Sequence, residues 1–219
     1  MLKPMKQIPK GVNAMNRNTI ITIGRQYGSG GREIGQLLAD KLDIPFYDKE
    51  LLTMSAKASG MSEEVFENYD EKPTNSLLYS LATSLGVGAF GPDTLSLYDK
   101  LYLAQFDVIR QVADEGSCVI VGRCADYVLR AYENCYHFFL HAPLEDRMER
   151  ATKEYGENPN NIKSTVLKHD KARANYYYHY TSQKWGDAKL YDLSLNTSRT
   201  GVDGAVKMLL HYLETIHAV

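Results

Sequence analysis

One stretch near the start of the chain, Thr19 to Leu42, constrains the fold more than any other. It begins with the apolar run Ile20-Ile21-Thr22-Ile23, passes through closely spaced glycines, and continues with apolar residues at helical spacing. The glycines are Gly24, Gly28, Gly30 and Gly31, and the helical apolar residues are Ile34, Leu37, Leu38 and Leu42. This order predicts a strand, a glycine loop and a helix. Because the N–H groups of such a loop and of the first helical turn converge, the stretch predicts a phosphate-binding site.

The loop is close to the P-loop pattern GxxxxGK(S/T), and we assign Gly24 and Gly30 to its two glycines. Gly31 stands where that pattern requires lysine, and Arg32 and Glu33 stand where Ser or Thr is expected. Two alternatives remain open. The dinucleotide pattern GxGxxG would use Gly28 and Gly30, with Asp48 on the ribose, although Glu33 occupies its third glycine position. The other alternative is a glycine-rich turn without a ligand.

Length and composition favour one domain, from residue 18 to residue 219, preceded by a flexible basic arm at 1–17. An apolar content of 44% is sufficient for a buried core, and a formal net charge of -2 gives no indication of a nucleic-acid or membrane partner. Three cysteines without metal-ligand spacing fit a reducing cytoplasm. No apolar run approaches the roughly 20 residues of a membrane helix, so we expect a cytoplasmic protein.

Strand-like segments near residues 20, 44, 118, 135 and 191 alternate with helical segments. This alternation predicts an α/β fold with a parallel sheet and helices on both faces. The region 55–110 is irregular and helical, which indicates an insert. Within it, the loop 84–93 is rich in glycine and is either a substrate lid or a connector.

Two charged side chains follow apolar strands, at the sheet edge where ligands of open α/β sheets bind. Asp48 ends the second strand and is either a ligand of the site or the N-cap of the next helix. Arg123 directly follows the strand Cys118 to Val121, and its planar guanidinium suits a phosphate. The alternative for Arg123 is a salt bridge that holds the strand end to a helix.

Two later segments are strongly charged. Arg147 and Arg150 alternate with Asp146 and Glu149, a pattern typical of a solvated ion-pair face. The segment 162–180 combines cationic residues with a run of tyrosines, and it is either a flap that covers a phosphoryl group and stacks a base, or a packing or dimer surface.

Five segments carry a resemblance to a known family. They are ITIGRQYGSGGREIGQLLADKL, FYD at 46–48, VIVGRCADYVL at 119–129, FFLHAPLEDRMERA at 138–151 and WGDAKLYDLSLNTS at 185–198. The chain resembles the cytidylate kinase branch of the nucleoside monophosphate kinases and, more closely, the cytidylate-kinase-like proteins. The resemblance implies a P-loop kinase fold with five strands in the order 2-3-1-4-5, a helical acceptor-binding insert at 55–110 and an arginine-bearing lid at 155–187.

Residue by residue, Gly28, Ser29 and Gly30 look like the family's phosphate loop, and Arg123 looks like the arginine of its Gly-Arg-Asp motif. Cys124 stands at the aspartate of that motif, and Asp126 is the candidate to replace it. Asp170 and Arg173 are similar to the acid and arginine of the lid, and Arg150 falls at the lid's start. Gly31 leaves the loop without its lysine. Arg32 lies about 100° further around the helix and does not inherit that role, whereas Arg25 enters the loop from the other end.

The resemblance thus implies a phosphotransferase that uses ATP or another nucleoside triphosphate with Mg²⁺, and transfers the γ-phosphoryl group to a small acceptor such as CMP. A nucleotide or anion sensor without turnover is the alternative. A small-molecule nucleotide is the expected partner, and the tyrosines make a homodimer an option.

The candidate donor-binding residues are Arg25, Gly28, Ser29, Gly30, Gly31, Arg32 and Glu33. The candidate acceptor-binding residues are Asp48, Arg123, Asp126 and Asp170. The candidate catalytic residues are Arg123, Arg150 and Arg173, and the candidate metal ligands are Glu33 and Asp48.

Overall fold

In a computed structural model of the chain, the described residues are 18–69 and 96–219. The predicted arm at 1–17 and the loop at 84–93 lie outside these ranges. The glycine stretch forms the predicted unit, with strand β1 at Ile20–Arg25 and helix α1 at Gly31–Leu42. The loop between them therefore lies at the carboxyl end of β1.

In the described ranges, β1 and four further strands form one parallel sheet in the order β2-β3-β1-β4-β5. These strands are β2 at Phe46–Tyr47, β3 at Cys118–Val121, β4 at Cys135–His141 and β5 at Leu193–Asn196. The predicted order 2-3-1-4-5 is confirmed. The dinucleotide-binding alternative is wrong, because the strand order 3-2-1-4-5-6 of that fold does not place β3 between β1 and β2.

Along the described chain, the helices after α1 follow or separate the strands. They are α2 at Glu50–Ser59, α3 at Glu63–Tyr69, α4 at Leu97–Glu115, α5 at Ala125–Val128, α6 at Leu144–Tyr155, α7 at Ile162–Thr181 and α8 at Thr197–Thr215. A short 3-10 turn at Ala188–Leu190 precedes β5. The predicted insert falls on the end of α2, on α3 and on most of α4, and the predicted lid contains α7. None of the described helices is long and apolar enough to span a membrane.

The core has two layers because side chains alternate along β1. Ile21 and Ile23 belong to one cluster, which also contains Leu38 of α1 and Leu209 of α8. Ile20 belongs to the other cluster, on the opposite face of the sheet, together with Ile109 of α4. As β1 is central and covered on both faces, it forms a continuous apolar run in the sequence.

Replacement of Leu38 by alanine tests the packing of α1, the helix that follows the phosphate loop. Leu38 is 0% exposed, and we expect Leu38→Ala to lower the free energy of unfolding by about 2–5 kcal/mol, since a cavity replaces the side chain. The same substitution at Leu103, which is 45% exposed on α4, serves as the control and is expected to cost about 0.5 kcal/mol or less. Urea unfolding followed by circular dichroism measures both, and equal losses would contradict the assigned packing.

Candidate functional site

The glycine loop has a conformation that only glycines adopt without strain at two of its positions. Gly28 and Gly30 have φ values of 80° and 78°, in the left-handed region. The loop is closed by a hydrogen bond from the Ser29 hydroxyl to the Gln26 carbonyl oxygen at 2.8 Å. Gly30 is the N-cap of α1. Because it has no side chain, it does not cap the first N–H groups of the helix, which lie next to the loop. The loop thus has the backbone of an anion-binding site.

The register of the P-loop pattern needs one correction. Gly24 lies inside β1 and pairs with Phe139 of β4, so it belongs to the sheet rather than to the loop. Counted back from Gly30, the first glycine of GxxxxGK falls on Arg25 and not on Gly24. The chain therefore has arginine at the first glycine position and Gly31 at the lysine position.

Asp48 joins two arginines at the carboxyl edge of the sheet. Its carboxylate accepts hydrogen bonds from Arg32 Nε at 2.8 Å and from Arg123 Nη1 at 3.2 Å. The side chains of Asp48 and Arg123 are both buried. The N-cap interpretation of Asp48 is wrong, because Lys49 is the N-cap of α2. Arg123 does form a salt bridge, but its partner Asp48 lies between β2 and α2 and not in a helix, as the alternative interpretation had it.

The charge state of Asp48 follows from these neighbours. Burial alone would raise the pKa of its carboxyl group. The positive charges of Arg123 and Arg25, together with the hydrogen bonds from Arg32 and Arg123, outweigh burial and hold the pKa below its ordinary value. Asp48 is therefore a carboxylate at neutral pH.

Backbone strain accompanies the end of β3. Gly122, Arg123 and Cys124 all have left-handed backbone conformations, with φ values of 79°, 54° and 55°. A left-handed conformation is costly for residues with a Cβ atom, and such residues cluster at functional sites. The turn directs Arg123 back towards Asp48, whose own strand neighbours β3.

The position of the family's motif aspartate lies against the lid helix. Cys124 is buried and packs with Tyr176 and Tyr177 of α7. Asp126 accepts a hydrogen bond from the Tyr177 hydroxyl at 2.6 Å, and burial raises the pKa of its carboxyl group. Asp126 thus contacts α7, and it lines a narrow cleft together with Arg123 and Cys124.

Arg150 of α6 lies over the phosphate loop. An ideal Cβ atom on Gly30 would be 3.4 Å from Arg150 Cζ, which places the guanidinium directly above that glycine. Arg150 Nη1 also pairs with Glu33 at 3.2 Å and with Glu154 at 2.6 Å. Glu33 and Arg150, predicted as donor-binding and catalytic residues, therefore meet at the N-terminus of α1.

Sequence reasoning missed a buried bridge from the loop to the lid helix. Asp170 of α7 accepts hydrogen bonds from the Tyr27 backbone N–H at 2.8 Å and from Arg147 Nη1 at 2.5 Å. Arg147 also donates to the carbonyl oxygens of Tyr27, at 3.2 Å, and of Ala142, at 3.0 Å. Arg147 is buried, so the prediction of a solvated ion-pair face is wrong for this residue. No local pattern distinguishes it from Arg150 three residues on.

The Arg147–Asp170 bridge is reinforced by Tyr27. Its ring stacks on His169 of α7, with centroids 4.2 Å apart and planes at 9°, and its hydroxyl donates to Glu157 at 2.6 Å. Gly28 follows, and any Cβ atom there would come within 2.4 Å of the Arg147 carbonyl oxygen. The loop is thus packed closely between α6 and α7.

The tyrosines of α7 pack mainly within the chain. Tyr176 and Tyr177 are buried, and Tyr180 stacks on Tyr102 of α4 with centroids 3.8 Å apart. Tyr178 is exposed. The packing interpretation of this segment is confirmed for the three buried or stacked tyrosines.

Two cavities adjoin the loop, and both contain Gly28. The first, which we call the arginine cavity, has a volume of about 620 Å³. Among its walls are the charged residues Arg25, Arg32, Glu33, Asp48, Lys49, Arg123 and Arg173. Arg173 of α7 also donates a hydrogen bond from Nη1 to the Arg25 carbonyl oxygen at 3.2 Å. Arg173 therefore reaches the end of β1.

The second cavity, which we call the α6–α8 cavity, has a volume of about 490 Å³ and lies on the other side of the loop. Arg150, Lys153, Thr197 and Ser198 contribute to it. Thr197, at the start of α8, donates a hydrogen bond from its hydroxyl to the Ser29 carbonyl oxygen at 2.8 Å. The loop is thereby the common wall of two cavities large enough for small ligands.

The predicted metal ligands Glu33 and Asp48 are both engaged with arginines. Within the described ranges, no group of three or more His, Cys, Asp and Glu side chains is arranged to hold a metal ion. Mg²⁺ differs from other metals in needing only one or two carboxylates when it binds together with phosphates. Glu33 is half-exposed and can serve in this way, whereas both oxygens of Asp48 accept hydrogen bonds from arginines.

This chain is similar to known proteins in both sequence and structure. A model of the cytidylate kinase-like family matches residues 20–199. The cytidylate kinase of Pyrococcus horikoshii is 23% identical over 201 residues, covering 90% of this chain and 91% of the relative. The crystal structure of an uncharacterized protein from Eubacterium ventriosum has a TM-score of 0.68 at 32% identity, covering 90% of this chain and 99% of that one.

A more distant likeness concerns the fold alone. Shikimate kinase from Bacteroides thetaiotaomicron has a TM-score of 0.51 at 15% identity, covering 90% of this chain and 98% of that one. The arrangement of the sheet and its helices is therefore shared with that kinase.

Replacement of Asp48 by asparagine tests the buried charge cluster. Because the pKa of Asp48 is lowered by folding, its contribution to stability is present above about pH 4 and is lost as the pH falls through the folded-state pKa. We expect Asp48→Asn to cost about 3–5 kcal/mol at pH 7, since it removes the Asp48 carboxylate from its buried ion pair with Arg123. Urea unfolding from pH 7 to pH 3 should show the deficit shrinking. Asp107→Asn, at an exposed position on α4, is the control, and a deficit independent of pH would contradict the assignment.

Replacement of Asp170 by alanine tests the Arg147–Asp170 bridge. The Tyr27 amide donates to the Asp170 carboxylate, and loss of such a charged hydrogen bond should speed its hydrogen exchange roughly 10- to 100-fold. The Ile21 amide in β1 serves as an internal reference for global unfolding, and Asp203→Ala, at an exposed position of α8, serves as the matched variant. Unchanged exchange at Tyr27 would show that the bridge does not hold the loop.

Proposed function

This chain belongs to the cytidylate kinase-like family, and from that premise we propose that it is a nucleotide-kinase-like phosphotransferase. It would transfer the γ-phosphoryl group of ATP or another nucleoside triphosphate to a small acceptor. The observation that carries the proposal is the convergence of Arg25, Arg123 and Arg173 on one cavity beside the glycine loop. Several arginines at one cavity suit phosphoryl transfer, because catalysis of this reaction consists mostly of positioning the substrates and neutralising charge on the transferring group.

We assign the two sides of the loop to the two substrates. The triphosphate would lie along residues 28–31, where the backbone N–H groups and the N-terminus of α1 favour negative charge. The donor nucleoside would occupy the α6–α8 cavity, beside Arg150 and Thr197. The acceptor would occupy the arginine cavity, with Arg123 as its anchor. Both cavities contain Gly28, so this arrangement brings the two substrates together at the loop.

The reaction is a displacement at phosphorus. An oxygen of the acceptor forms a bond to the γ-phosphorus while the bond from that phosphorus to the β,γ-bridging oxygen breaks, and the nucleoside diphosphate departs with that oxygen. A phosphate acceptor is already deprotonated at neutral pH and needs no general base, whereas an alcohol acceptor must lose a proton. Arg173 and Arg150, on opposite sides of the loop, would stabilise the charge on the equatorial oxygens.

Bound Mg²⁺ would supply further charge neutralisation at the β- and γ-phosphates. Glu33 is the side chain in position to hold it, since it lies in the first turn of α1 and is half-exposed. Asp48 instead keeps Arg123 and Arg32 in place, so its role would be to position the acceptor site rather than to bind metal.

A nucleoside monophosphate such as CMP is the acceptor that we propose to test first, because the curated relatives are named cytidylate kinases. Cys124 stands at the motif aspartate and packs against tyrosines of α7, so recognition of the base must differ in detail from a site with an acid there. A panel of acceptors is therefore needed, including other monophosphates and small alcohols.

One observation favours a second function, a nucleotide or anion sensor without turnover. Gly31 removes the lysine that a P-loop uses at the β- and γ-phosphates. A sensor would keep the cradle of Gly28 and Gly30 and would be stabilised by nucleotide without consuming it.

The two functions are separated by acceptor-dependent ADP formation, measured with a coupled assay alongside the melting temperature with and without ATP and Mg²⁺. For a kinase we expect ADP formation stimulated by one acceptor, and a loss of about 10²–10⁴-fold in kcat/KM for Arg173→Gln. Arg110→Gln, the same change at an exposed position of α4, should leave turnover unchanged. Thermal stabilisation by ATP without turnover on any acceptor would instead support the sensor, and neither response would contradict both.

A further inference from the structure

Gly31 is a glycine for lack of space rather than for its backbone conformation. It begins α1 and is not among the residues with a left-handed φ. An ideal Cβ atom at this position would lie 2.5 Å from Arg25 Cβ and 2.9 Å from Arg25 Cγ. Contacts this short do not occur, and the shorter one is to Arg25 Cβ, which no rotation of the side chain moves. Arg25 therefore fills the space that a side chain at position 31 would need.

Arg25 stands where the P-loop pattern has its first glycine, five positions before Gly30. The pattern thus pairs a glycine at the first position with a lysine after the second glycine. This chain pairs an arginine at the first position with a glycine after the second. A side chain at either position occupies the space that the other position must leave empty. The two departures from the pattern therefore belong together.

The arginine remains at the phosphate loop. Arg25 lines the arginine cavity together with Gly28 and Gly31, and also lines the narrow cleft between Arg123 and the tyrosines of α7. Its charge is one of those that lower the pKa of Asp48, after that of Arg123. Its carbonyl oxygen is held by Arg173, which fixes the backbone at the end of β1.

We propose that Arg25 performs the role of the missing P-loop lysine, binding the β- and γ-phosphates of a triphosphate from the strand side of the loop, and that Gly31 is the residue that makes room for it. The proposal rests on the proposed function for the identity of the ligand as a triphosphate. It changes the meaning of Gly31, which becomes part of a rearranged site rather than a sign of lost activity. A guanidinium also offers two parallel N–H donors to a phosphate, where a lysine offers a point charge.

The spatial part of the proposal is tested by stability alone. Gly31→Ala should lower the melting temperature in the wild-type background and in Arg25→Ala, because an alanine at position 25 retains the Cβ atom that causes the 2.5 Å contact. In Arg25→Gly the same substitution should be neutral or stabilising, since alanine is the better helix former. Equal effects of Gly31→Ala in all three backgrounds would overturn the mutual exclusion.

The functional part is tested by exchanging the two residues. Isothermal titration with inorganic tripolyphosphate and Mg²⁺, and turnover with ATP, would be measured for the wild type, Arg25→Gly, Gly31→Lys and the double exchange Arg25→Gly/Gly31→Lys. We expect Arg25→Gly to weaken binding at least about 10-fold and to lower kcat/KM about 10²–10³-fold. The double exchange, which restores the first glycine and the lysine of the pattern, should recover at least about 10-fold of the lost turnover. Arg110→Gly, at an exposed position of α4, controls for loss of an arginine.

The outcomes separate this inference from the function on which it rests. Tripolyphosphate binding that depends on Arg25, without turnover on any acceptor, would support the role of Arg25 and contradict the kinase. Turnover by the wild type that Arg25→Gly retains within about threefold would support the kinase and overturn the role of Arg25. A double exchange that folds but remains as weak in binding as Arg25→Gly would also overturn it.

Discussion

The phosphate loop depends on the buried bridge between Arg147 and Asp170, because this bridge joins the loop to two helices that are distant from it in sequence. The loop backbone contributes the Tyr27 N–H to Asp170 and the Tyr27 carbonyl oxygen to Arg147. Each ion is paired and hydrogen-bonded, which is the condition under which a buried charge is tolerated. The loop backbone directly before Gly28 is therefore held by contacts from outside the loop.

The arginines around the loop fall into two groups according to how firmly carboxylates hold them. Arg123 and Arg147 are buried and pair with the buried Asp48 and the nearly buried Asp170, so displacing either partner would break a buried ion pair, which is costly. Arg150 pairs with Glu33 and Glu154, which are half-exposed, and such pairs contribute about 0–1 kcal/mol. A phosphate can therefore replace Glu33 and Glu154 as the partner of Arg150 at a small cost in free energy.

Sequence reasoning predicted the parts of this molecule that local patterns encode. The apolar strands, their alternation with helices and the glycine loop predicted the sheet, and the position after a strand predicted that Asp48 and Arg123 share an edge. It failed where a role depends on a distant partner. Arg147 and Arg150 lie on the same helix three residues apart, yet one is buried against the loop and the other is not. The exchange between Arg25 and Gly31 was equally hidden, since it is a contact between side-chain positions and not a pattern of residue types.

Helix α7 contacts the glycine loop, the end of β1 and the turn after β3 along its length. Near its middle it provides Asp170 to the loop and Arg173 to the end of β1, and one to two turns later it packs Tyr176 and Tyr177 on Cys124. Tyr180 then stacks on Tyr102 of α4, which anchors the C-terminal part of the helix. A substitution at position 124, where the family motif has an acid, would therefore alter the packing of the same helix that positions Arg173. Under the proposed function, packing would couple acceptor recognition to charge stabilisation, and an acid at position 124 would have to be accommodated within the tyrosine cluster.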